Sequence, residues 1–188
     1  MPTENEIKLS IGSDLDGIRR RIHDAGFEVH KKRIHEMNTV FDTPGFDLRK
    51  SDKLLRLRQV GDQTILTYKG PPRPGKHKSR EELELTVSDG NTFQEILAAL
   101  GYAPAFRYEK FRTEYQQPAG HGVLTVDETP IGNFLELEGS PDWVDGNAKL
   151  LGFKPSDYIT KSYGALYLAY SAEKGISPTD MVFSLPLK

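Results

Sequence analysis

Charged side chains fall on one face of each of seven strand-like segments of this sequence, and no other feature constrains the fold as strongly. The first segment carries Glu4, Glu6 and Lys8, which alternate with Ile7 and Leu9. Successive side chains of a β-strand point to opposite faces, so each segment would have one charged face and one apolar face. A sheet built from such strands must find a separate environment for each face.

Strand-like segments follow one another in hairpin order along the chain. The predicted strands are 3–11, 27–42, 53–60, 63–69, 79–87, 104–117, 121–128 and 132–139. Helices are predicted at 14–25, 92–100, 140–152 and 157–170, with Thr92 and Ser156 as the caps of the second and the fourth. Eight strands in this order indicate a mainly β (α+β) fold with an antiparallel sheet or barrel.

The charged faces could simply be turned to water, as is usual for half-buried antiparallel strands. Two observations favour an enclosed charged interior instead. The polar positions are nearly all Arg, Lys, Glu or Asp, and the four helices need the apolar side of the sheet to bury their own apolar faces. The residues that would then point inward are the cations Lys8, Arg56, Arg58, Lys69, Arg80, Lys110 and Arg112 and the carboxylates Glu4, Glu6, Glu82, Glu84, Asp127, Glu136 and Glu138.

Buried charges of both signs must be paired, bound to a metal ion or bound to a ligand. Clustered Arg and Lys side chains suit a polyanion with phosphate geometry, because the guanidinium group binds phosphate oxygens in pairs. Clustered carboxylates suit a hard divalent cation, Mg²⁺ or Mn²⁺. A metal-bound polyphosphate needs both sets at once. The site would consist of side chains, because the sequence contains no glycine-rich phosphate loop.

Composition excludes several other classes of protein. The 25 Lys and Arg residues against 27 Asp and Glu residues give a formal charge of −2, which argues against a nucleic-acid partner. The absence of cysteine excludes disulfides, a thiolate nucleophile and a cysteine-based zinc site. No apolar run spans a bilayer and no secretory signal is visible, so we expect a cytoplasmic protein without a membrane partner. A homodimer is possible, but no sequence feature decides it.

The N-terminal pattern Glu4-x-Glu6-x-Lys8 resembles the ExExK signature of the CYTH superfamily, the triphosphate tunnel metalloenzymes. That family includes class IV adenylyl cyclases, thiamine triphosphatases and inorganic triphosphatases. Further motifs follow in the family's order: Asp42-Thr43-Pro44, Leu55-Arg56-Leu57-Arg58, Thr67-Tyr68-Lys69-Gly70, Arg80-x-Glu82-x-Glu84, Lys110-Phe111-Arg112, Asp127 and Glu136-Leu137-Glu138. The resemblance covers about residues 3–170, so a domain over 1–170 is expected, followed by a tail, 171–188, of unknown role.

The resemblance implies an eight-stranded antiparallel β-barrel that forms a tunnel, with helices packed outside. It implies that the triphosphate is bound by Lys8, Arg56, Arg58, Lys69, Arg80, Lys110 and Arg112. It implies metal ligands, not all used at once, among Glu4, Glu6, Glu82, Glu84, Asp127, Glu136 and Glu138. The catalytic residues expected from it are Glu4, Glu6, Lys8 and Lys69, with Mg²⁺ or Mn²⁺ as the cofactor.

Three kinds of function are compatible with such a tunnel. The first is hydrolysis of a small triphosphate, either tripolyphosphate, thiamine triphosphate or a nucleoside triphosphate. The second is a class IV adenylyl cyclase reaction, which converts ATP to cyclic AMP and pyrophosphate. The third is binding of polyphosphate without turnover, against which the seven carboxylates argue. A charged sheet exposed for protein contacts is a further alternative, and it predicts that Arg56→Glu changes neither triphosphate binding nor stability.

A few conspicuous residues are interpreted as structural rather than functional. The proline-rich stretch 70–75, extended by Lys76 and Lys78, is predicted to be a mobile solvated loop rather than a cap on the tunnel. Trp143 is predicted to pack within an outer helix. The tyrosines of the last helix, Tyr163, Tyr167 and Tyr170, are interpreted as a packing stripe, and the five histidines as surface or loop residues.

Overall fold

The computed structural model describes residues 3–118 and 120–184, without the side chains of residues 3 and 4. Its strands form a closed barrel in the order β1-β5-β4-β3-β2-β6-β7-β8, and β8 pairs with β1 to complete the circle. The strands are β1 (Thr3–Ser10), β2 (Glu28–Asp42), β3 (Leu54–Val60), β4 (Gln63–Lys69), β5 (Lys78–Val87), β6 (Ala103–Gln116), β7 (Val123–Thr129) and β8 (Gly132–Glu138). Every pairing is antiparallel, which confirms the predicted barrel.

The register between strands places opposite charges beside each other. Lys69 of β4 lies opposite Glu82 of β5, and Lys8 of β1 lies opposite Glu136 of β8. Because side chains alternate with a period of two, one such pair fixes the direction of every other side chain in both strands. The predicted charged faces therefore line the interior of the barrel, and the aliphatic faces point outward.

Five helices accompany the barrel: α1 (Leu15–Asp24), α2 (Asp47–Lys50), α3 (Gly90–Ala99), α4 (Pro141–Leu150) and α5 (Tyr163–Lys174). The predicted cap of α3 at Thr92 is wrong, because Asp89 accepts the backbone N–H groups of both Asn91 and Thr92. The short α2 was not predicted. It is held by the buried carboxylate of Asp42, which accepts three backbone N–H groups from the following turn.

The last helix begins later than its predicted start near residue 157. The cap is Ser162, whose hydroxyl accepts the N–H of Ala165, rather than Ser156. The reason is a long-range backbone contact: Lys8 and Ile159 exchange two N–H···O bonds of 2.9 and 2.8 Å. This pairing holds the chain extended at Ile159 and prevents an earlier helix. The predicted domain boundary at 170 falls inside α5.

The main apolar core lies outside the barrel wall, between the strands and the helices α1 and α4. It includes Ile7, Leu9, Ile22, Leu135 and Val144, all without solvent exposure. Full burial of each such side chain contributes about 1.5–3 kcal/mol relative to exposure. This layer gives the apolar faces of the strands their environment and leaves the charged faces to the interior.

A second cluster closes one end of the barrel. Tyr163 and Tyr167 of α5 pack against Tyr108 and Phe134, which belong to inward-facing positions of β6 and β8. Met181, beyond α5, packs into the same cluster and pairs through its backbone with β6. The aromatic residues of α5 thus form a packing stripe, as predicted, and that stripe reaches into the barrel.

The indole of Trp143 packs against the barrel wall, as predicted. It meets Phe27 edge to face, with ring centroids 6.1 Å apart. Gly122 leaves room for this contact, because a Cβ atom there would lie 2.6 Å from the indole ring. Among the described residues, no helix is both long and apolar enough to cross a bilayer.

Candidate active site

The barrel encloses a cavity of about 150 Å³ whose wall is almost entirely ionic. Seventeen residues line it: Glu6, Lys8, Leu54, Arg56, Arg58, Lys69, Lys78, Arg80, Glu82, Glu84, Tyr108, Lys110, Arg112, Glu136, Glu138, Ser162 and Tyr163. Twelve of these are residues that the sequence placed at the site. The two other candidates do not contribute to the described wall: Asp127 lies behind it, and the side chain of Glu4 falls outside the part of the chain that the structure describes.

Asp127 is the buried counter-ion of two cavity cations. Its carboxylate is fully buried and accepts hydrogen bonds from Lys110 Nζ at 2.9 Å and from the Arg112 guanidinium at 2.7 and 2.6 Å. The hydroxyl of Tyr163 donates a further bond of 2.7 Å to it. Arg112 also contacts Glu136. Since these donors surround Asp127, the structure gives it the role of fixing Lys110 and Arg112 in the wall.

Lys8 is buried between two carboxylates. Its Nζ lies 3.1 Å from Glu6 and 3.0 Å from Glu136. Burial alone lowers the pKa of Lys8, but the charges of Glu136 and Glu6 outweigh it and hold the pKa above its ordinary value. Lys8 is therefore a cation of the cavity wall at neutral pH.

Two interior polar residues on β2 were missed by the sequence analysis. Glu36 is buried and lies 3.5 Å from Lys110 and 3.7 Å from Arg58. Burial raises the pKa of Glu36, but Lys110, Arg112 and Arg58 outweigh it and lower the pKa to about 2. Asn38 accepts a bond from Arg58 on the same face. Both residues have the parity of an inward face, so strand alternation could have identified them.

Two tyrosines of the cavity wall also escaped the sequence analysis as site residues. The hydroxyl of Tyr108 accepts a 3.0 Å hydrogen bond from Arg56. Burial raises the pKa of Tyr108, but the positive charges of Arg56, Lys110 and Arg58 outweigh burial, so the pKa is lower than usual. The ring of Tyr163 lies 5.3 Å from Lys8 Nζ and 5.4 Å from Lys110 Nζ. Tyr108 precedes Lys110 by two positions in β6, which was a usable signal. Tyr163 comes from α5, and no strand pattern points to it.

Lys78 belongs to the cavity and not to a solvated loop, so that prediction is wrong for this residue. It is the first residue of β5 and is buried, and its Nζ donates a 2.6 Å bond to Glu6. The preceding His77 is likewise only 11% exposed in its side chain and contacts Asp145. The alternation that connects Arg80 and Glu82 extends back to Lys78, but the adjacent prolines concealed it.

Exposure differs between the two ends of the cavity. Glu84, toward the end of β5, has a side chain that is 44% exposed, and Glu138, at the end of β8, is also exposed. Lys78 at the start of β5, together with Lys8 and Tyr163, is buried. In antiparallel strands these positions lie at opposite barrel ends. The barrel therefore has an open end, at Glu84 and Glu138, and a covered end, at Lys78 and Tyr163.

The carboxylates at the open end are crowded. Partial desolvation, together with the charges of Glu82, Glu6 and Glu136, raises the pKa of Glu138 to about 7, against the lowering effect of Lys69. Elsewhere the acids are matched with cations, as in the 3.0 Å contact between Lys69 and Glu82. Within residues 3–118 and 120–184, no three acidic or histidine side chains converge as a preformed metal-ligand set.

Comparisons with known proteins agree with this architecture. A CYTH domain family model matches residues 2–162. A Methanocaldococcus jannaschii protein named "Putative adenylate cyclase MJ0240" is 30% identical over 148 residues, which are 79% of this chain and 83% of that protein. The solved structure of PH1819 protein from Pyrococcus horikoshii gives a TM-score of 0.74 at 29% identity, over 88% of this chain and 98% of the other.

A second solved structure has the same fold. HpAC1 from Hippeastrum, described with a dominant triphosphatase activity, gives a TM-score of 0.66 at 21% identity, over 93% of this chain and 97% of the other. At that identity the likeness concerns the fold alone. Because the CYTH model spans most of the sequence and the barrel places twelve of the motif residues in one cavity, this chain belongs to the CYTH domain family.

Proposed function

We propose that this protein is a metal-dependent enzyme that hydrolyses a small triphosphate inside the barrel. The observation that carries the proposal is the charge of the cavity wall, where eight Lys and Arg side chains accompany five carboxylates. Glu36 and Asp127 contact some of the same cations from behind the wall, so among the described residues eight cations face seven carboxylates in all, and the cluster remains positive. A triphosphate carries about four negative charges near neutral pH, so it would complement this wall once a divalent cation accompanies it.

The triphosphate-binding cations in this proposal are those that the motifs indicated: Lys8, Arg56, Arg58, Lys69, Arg80, Lys110 and Arg112. Arginine and lysine side chains on different strands would hold the phosphate chain extended and reduce its charge repulsion. Lys8 and Lys69 would also stabilise the charge that develops on the transferred phosphoryl group. The covered end of the cavity would limit access of other water to the reacting phosphate.

The carboxylates fit a hard divalent cation in their chemistry. The raised pKa of Glu138 reflects several acids near one another, and a bound cation would relieve their mutual repulsion. Glu6, Glu82, Glu136 and Glu138 would hold it, and Glu4 is a further ligand candidate from the motif. When bound, Mg²⁺ or Mn²⁺ would supply Lewis-acid stabilisation of the phosphate oxygens.

A class IV adenylyl cyclase is the second candidate function. The name of the Methanocaldococcus relative favours it, and the same cation set would hold ATP. Cyclisation needs the ribose and the adenine to be oriented at the cavity, whereas hydrolysis needs only water. The lining residues without charge are few, namely Leu54, Tyr108, Ser162 and Tyr163. Hydrolysis is therefore the preferred proposal.

Product analysis by phosphorus NMR tests the proposal. The protein would be incubated with tripolyphosphate, thiamine triphosphate and ATP in turn, each with Mg²⁺ and with Mn²⁺. A variant that combines Glu136→Gln and Glu138→Gln serves as the blank. We expect orthophosphate from at least one substrate, and the preferred one identifies the substrate class. Formation of pyrophosphate and cyclic AMP from ATP would show that the reaction is cyclisation and not hydrolysis. Tight binding without any product would indicate a binding module.

A further inference from the structure

The loop between β4 and β5, residues 70–77, is tied to α4 by one carboxylate. Asp145 accepts a 2.9 Å bond from Lys76 Nζ and a 2.9 Å bond from the hydroxyl of Tyr158, and it lies 2.8 Å from His77 Nε2. We call these four residues the Asp145 clasp. Burial raises the pKa of Asp145, but the bonds from Lys76, His77 and Tyr158 outweigh it and lower the pKa to about 2. The clasp therefore contains an ionised carboxylate throughout the neutral range.

The clasp adjoins the covered end of the cavity on two sides. His77 directly precedes Lys78, whose Nζ enters the cavity. Tyr158 directly precedes Ile159, whose backbone pairs with that of Lys8. One carboxylate on α4 thus joins the two chain segments that lead to two cavity cations, although it lies outside the cavity itself.

Lys78 occupies a position that suits an anion. Glu6 Oε1 accepts bonds from both Lys78 Nζ, at 2.6 Å, and Lys8 Nζ, at 3.1 Å. Lys8 also contacts Glu136, whereas Lys78 shares Glu6 Oε1 with Lys8 and has further N–H donors that can reach an anion. Burying an ammonium group is costly unless an anion compensates it. A phosphate group at this end of the cavity would provide that compensation.

The loop also has backbone contacts of its own, which do not reach α4. Arg73 donates its N–H to Ser79 at 2.7 Å, and Gly70 donates to Glu81 at 2.9 Å. These bonds close the hairpin but do not connect it to α4. The clasp makes that connection. Residues 71–76 are exposed, and the backbone of β5 is paired with β1 only from Lys78 onward, so the clasp is a side-chain contact between this loop and α4 just before that pairing begins.

We propose that Lys78 binds a phosphate group of the substrate and that the Asp145 clasp is a positioning device that keeps Lys78 in the cavity. This inference rests on the proposed triphosphate chemistry and adds two residues that the family motifs do not include. Asp145 acts through Lys78 and makes no contact with substrate. The alternative role for the clasp is a surface ion pair that contributes a little stability and nothing to binding.

A double-mutant cycle with inorganic tripolyphosphate separates these roles. The affinity would be measured by calorimetry in chelator, and KM and kcat would be measured with Mg²⁺, for Lys78→Met, Asp145→Ala and the double variant. Loss of a charge-assisted hydrogen bond should make Lys78→Met bind about ten-fold more weakly. Asp145→Ala should raise KM about five-fold with kcat unchanged, because a smaller fraction of molecules holds Lys78 in place.

The decisive result is non-additivity. If Asp145 acts through Lys78, the double variant should bind no more weakly than Lys78→Met alone. Additive losses would overturn the positioning role, and wild-type affinity in Lys78→Met would overturn the binding role. Lys32→Met, an exposed lysine of β2, and Asp142→Ala, an exposed aspartate of α4, are matched controls and should retain wild-type values.

A structural readout accompanies the cycle. Trypsin cleavage after Lys76 should be faster in Asp145→Ala than in the wild type, and tripolyphosphate should slow it in the wild type but not in Lys78→Met. Equal cleavage rates in all variants would contradict a clasp. Failure of the proposed function has a different signature: a wild type that binds tripolyphosphate without turnover overturns hydrolysis and still permits the affinity cycle, whereas no binding at all overturns both proposals.

Discussion

Single carboxylates organise the cation wall of this barrel from behind. Asp127 contacts Lys110, Arg112 and Tyr163 at once, yet it does not border the cavity. An ion pair buried this deeply is weak evidence for stability as such, because desolvation offsets most of the attraction. Its effect is geometric, since it fixes two long, flexible side chains in positions where phosphate oxygens could reach them.

Removal of the Asp127 charge should destabilise the protein. Asp127→Asn leaves Lys110 and Arg112 with less compensation in a buried site, and we expect a loss of about 3 kcal/mol in the free energy of unfolding. Denaturant unfolding in low salt measures it. Asp16→Asn, at an exposed position of α1, is the control and should change stability by less than about 0.5 kcal/mol. A loss no larger than that of the control would mean that Lys110 and Arg112 move to solvated positions when Asp127 is neutral.

Glu138 should make stability fall as pH rises through the neutral range. Its folded pKa, about 7, is higher than the ordinary value of 4.5, so the folded state binds the proton more tightly. Its stabilising contribution is complete below about pH 4.5 and is lost as pH rises through about 7. In chelator, Glu138→Gln should therefore melt at a higher temperature than the wild type at pH 8, and the difference should shrink toward pH 5. Parallel melting curves across this range would contradict the assignment.

At the scale of elements, strand alternation predicted more of the structure than helix signals did. The bounds of β3 and β4 lie within one residue of their predicted positions, because turns with clear polar signals flank them. The start of α5 was wrong because a backbone pairing across about 150 residues of sequence, between Lys8 and Ile159, overrides the local capping signal at Ser156. Local sequence cannot report such a contact.

In the candidate site, too, residues placed by strand alternation could be predicted, and residues placed by long-range packing could not. Residues such as Arg56 and Glu82 could be predicted, because alternation within one strand suffices to place them inside. Lys78 has the same parity, but a proline-rich neighbour made the segment read as a loop. Tyr163 could not be assigned by alternation, because α5 brings it to the barrel through tertiary packing. What the sequence leaves open is which outer elements reach the cavity.

The contact between Trp143 of α4 and the barrel wall requires a residue without a side chain at Gly122. Gly122→Ala places a Cβ 2.6 Å from the indole of Trp143, so we expect a loss of about 1–3 kcal/mol in the free energy of unfolding. Gly146→Ala, within α4 and with nothing within 4 Å of the added atom, is the matched control. It should raise stability by about 0.5–1 kcal/mol, because alanine is the better helix former. Chemical denaturation followed by tryptophan fluorescence measures the change in the free energy of unfolding for each variant, and the two changes should have opposite signs.

At the scale of the whole molecule, ligand binding and folding should be strongly linked. Eight Lys and Arg side chains line the cavity, so a triphosphate that binds only the folded state should raise the melting temperature even in chelator. At a concentration 100 times its dissociation constant the ligand contributes about 2.7 kcal/mol. The increase should shrink at higher salt, because screening weakens the attraction. Thermal melts with and without tripolyphosphate measure it.

Reversal of one interior charge provides the control for this linkage. Arg56→Glu should abolish the increase in melting temperature, because Arg56 is buried in the cavity wall and bonds Tyr108 and Thr67 there. Arg49→Glu, at an exposed position of α2, should preserve the increase. An increase unaffected by Arg56→Glu would favour a triphosphate site on the outer surface.

The difference in exposure between the two barrel ends has a consequence for the traffic of molecules. Under the proposed function, exposure at Glu84 and Glu138 and burial at Lys78 and Tyr163 predict that substrate and product use the same passage. A second substrate molecule would then bind only after all products of the first have been released. If the protein is a triphosphatase, product phosphate should therefore inhibit competitively, and a long polyphosphate should be cleaved from its terminus rather than threaded through the barrel.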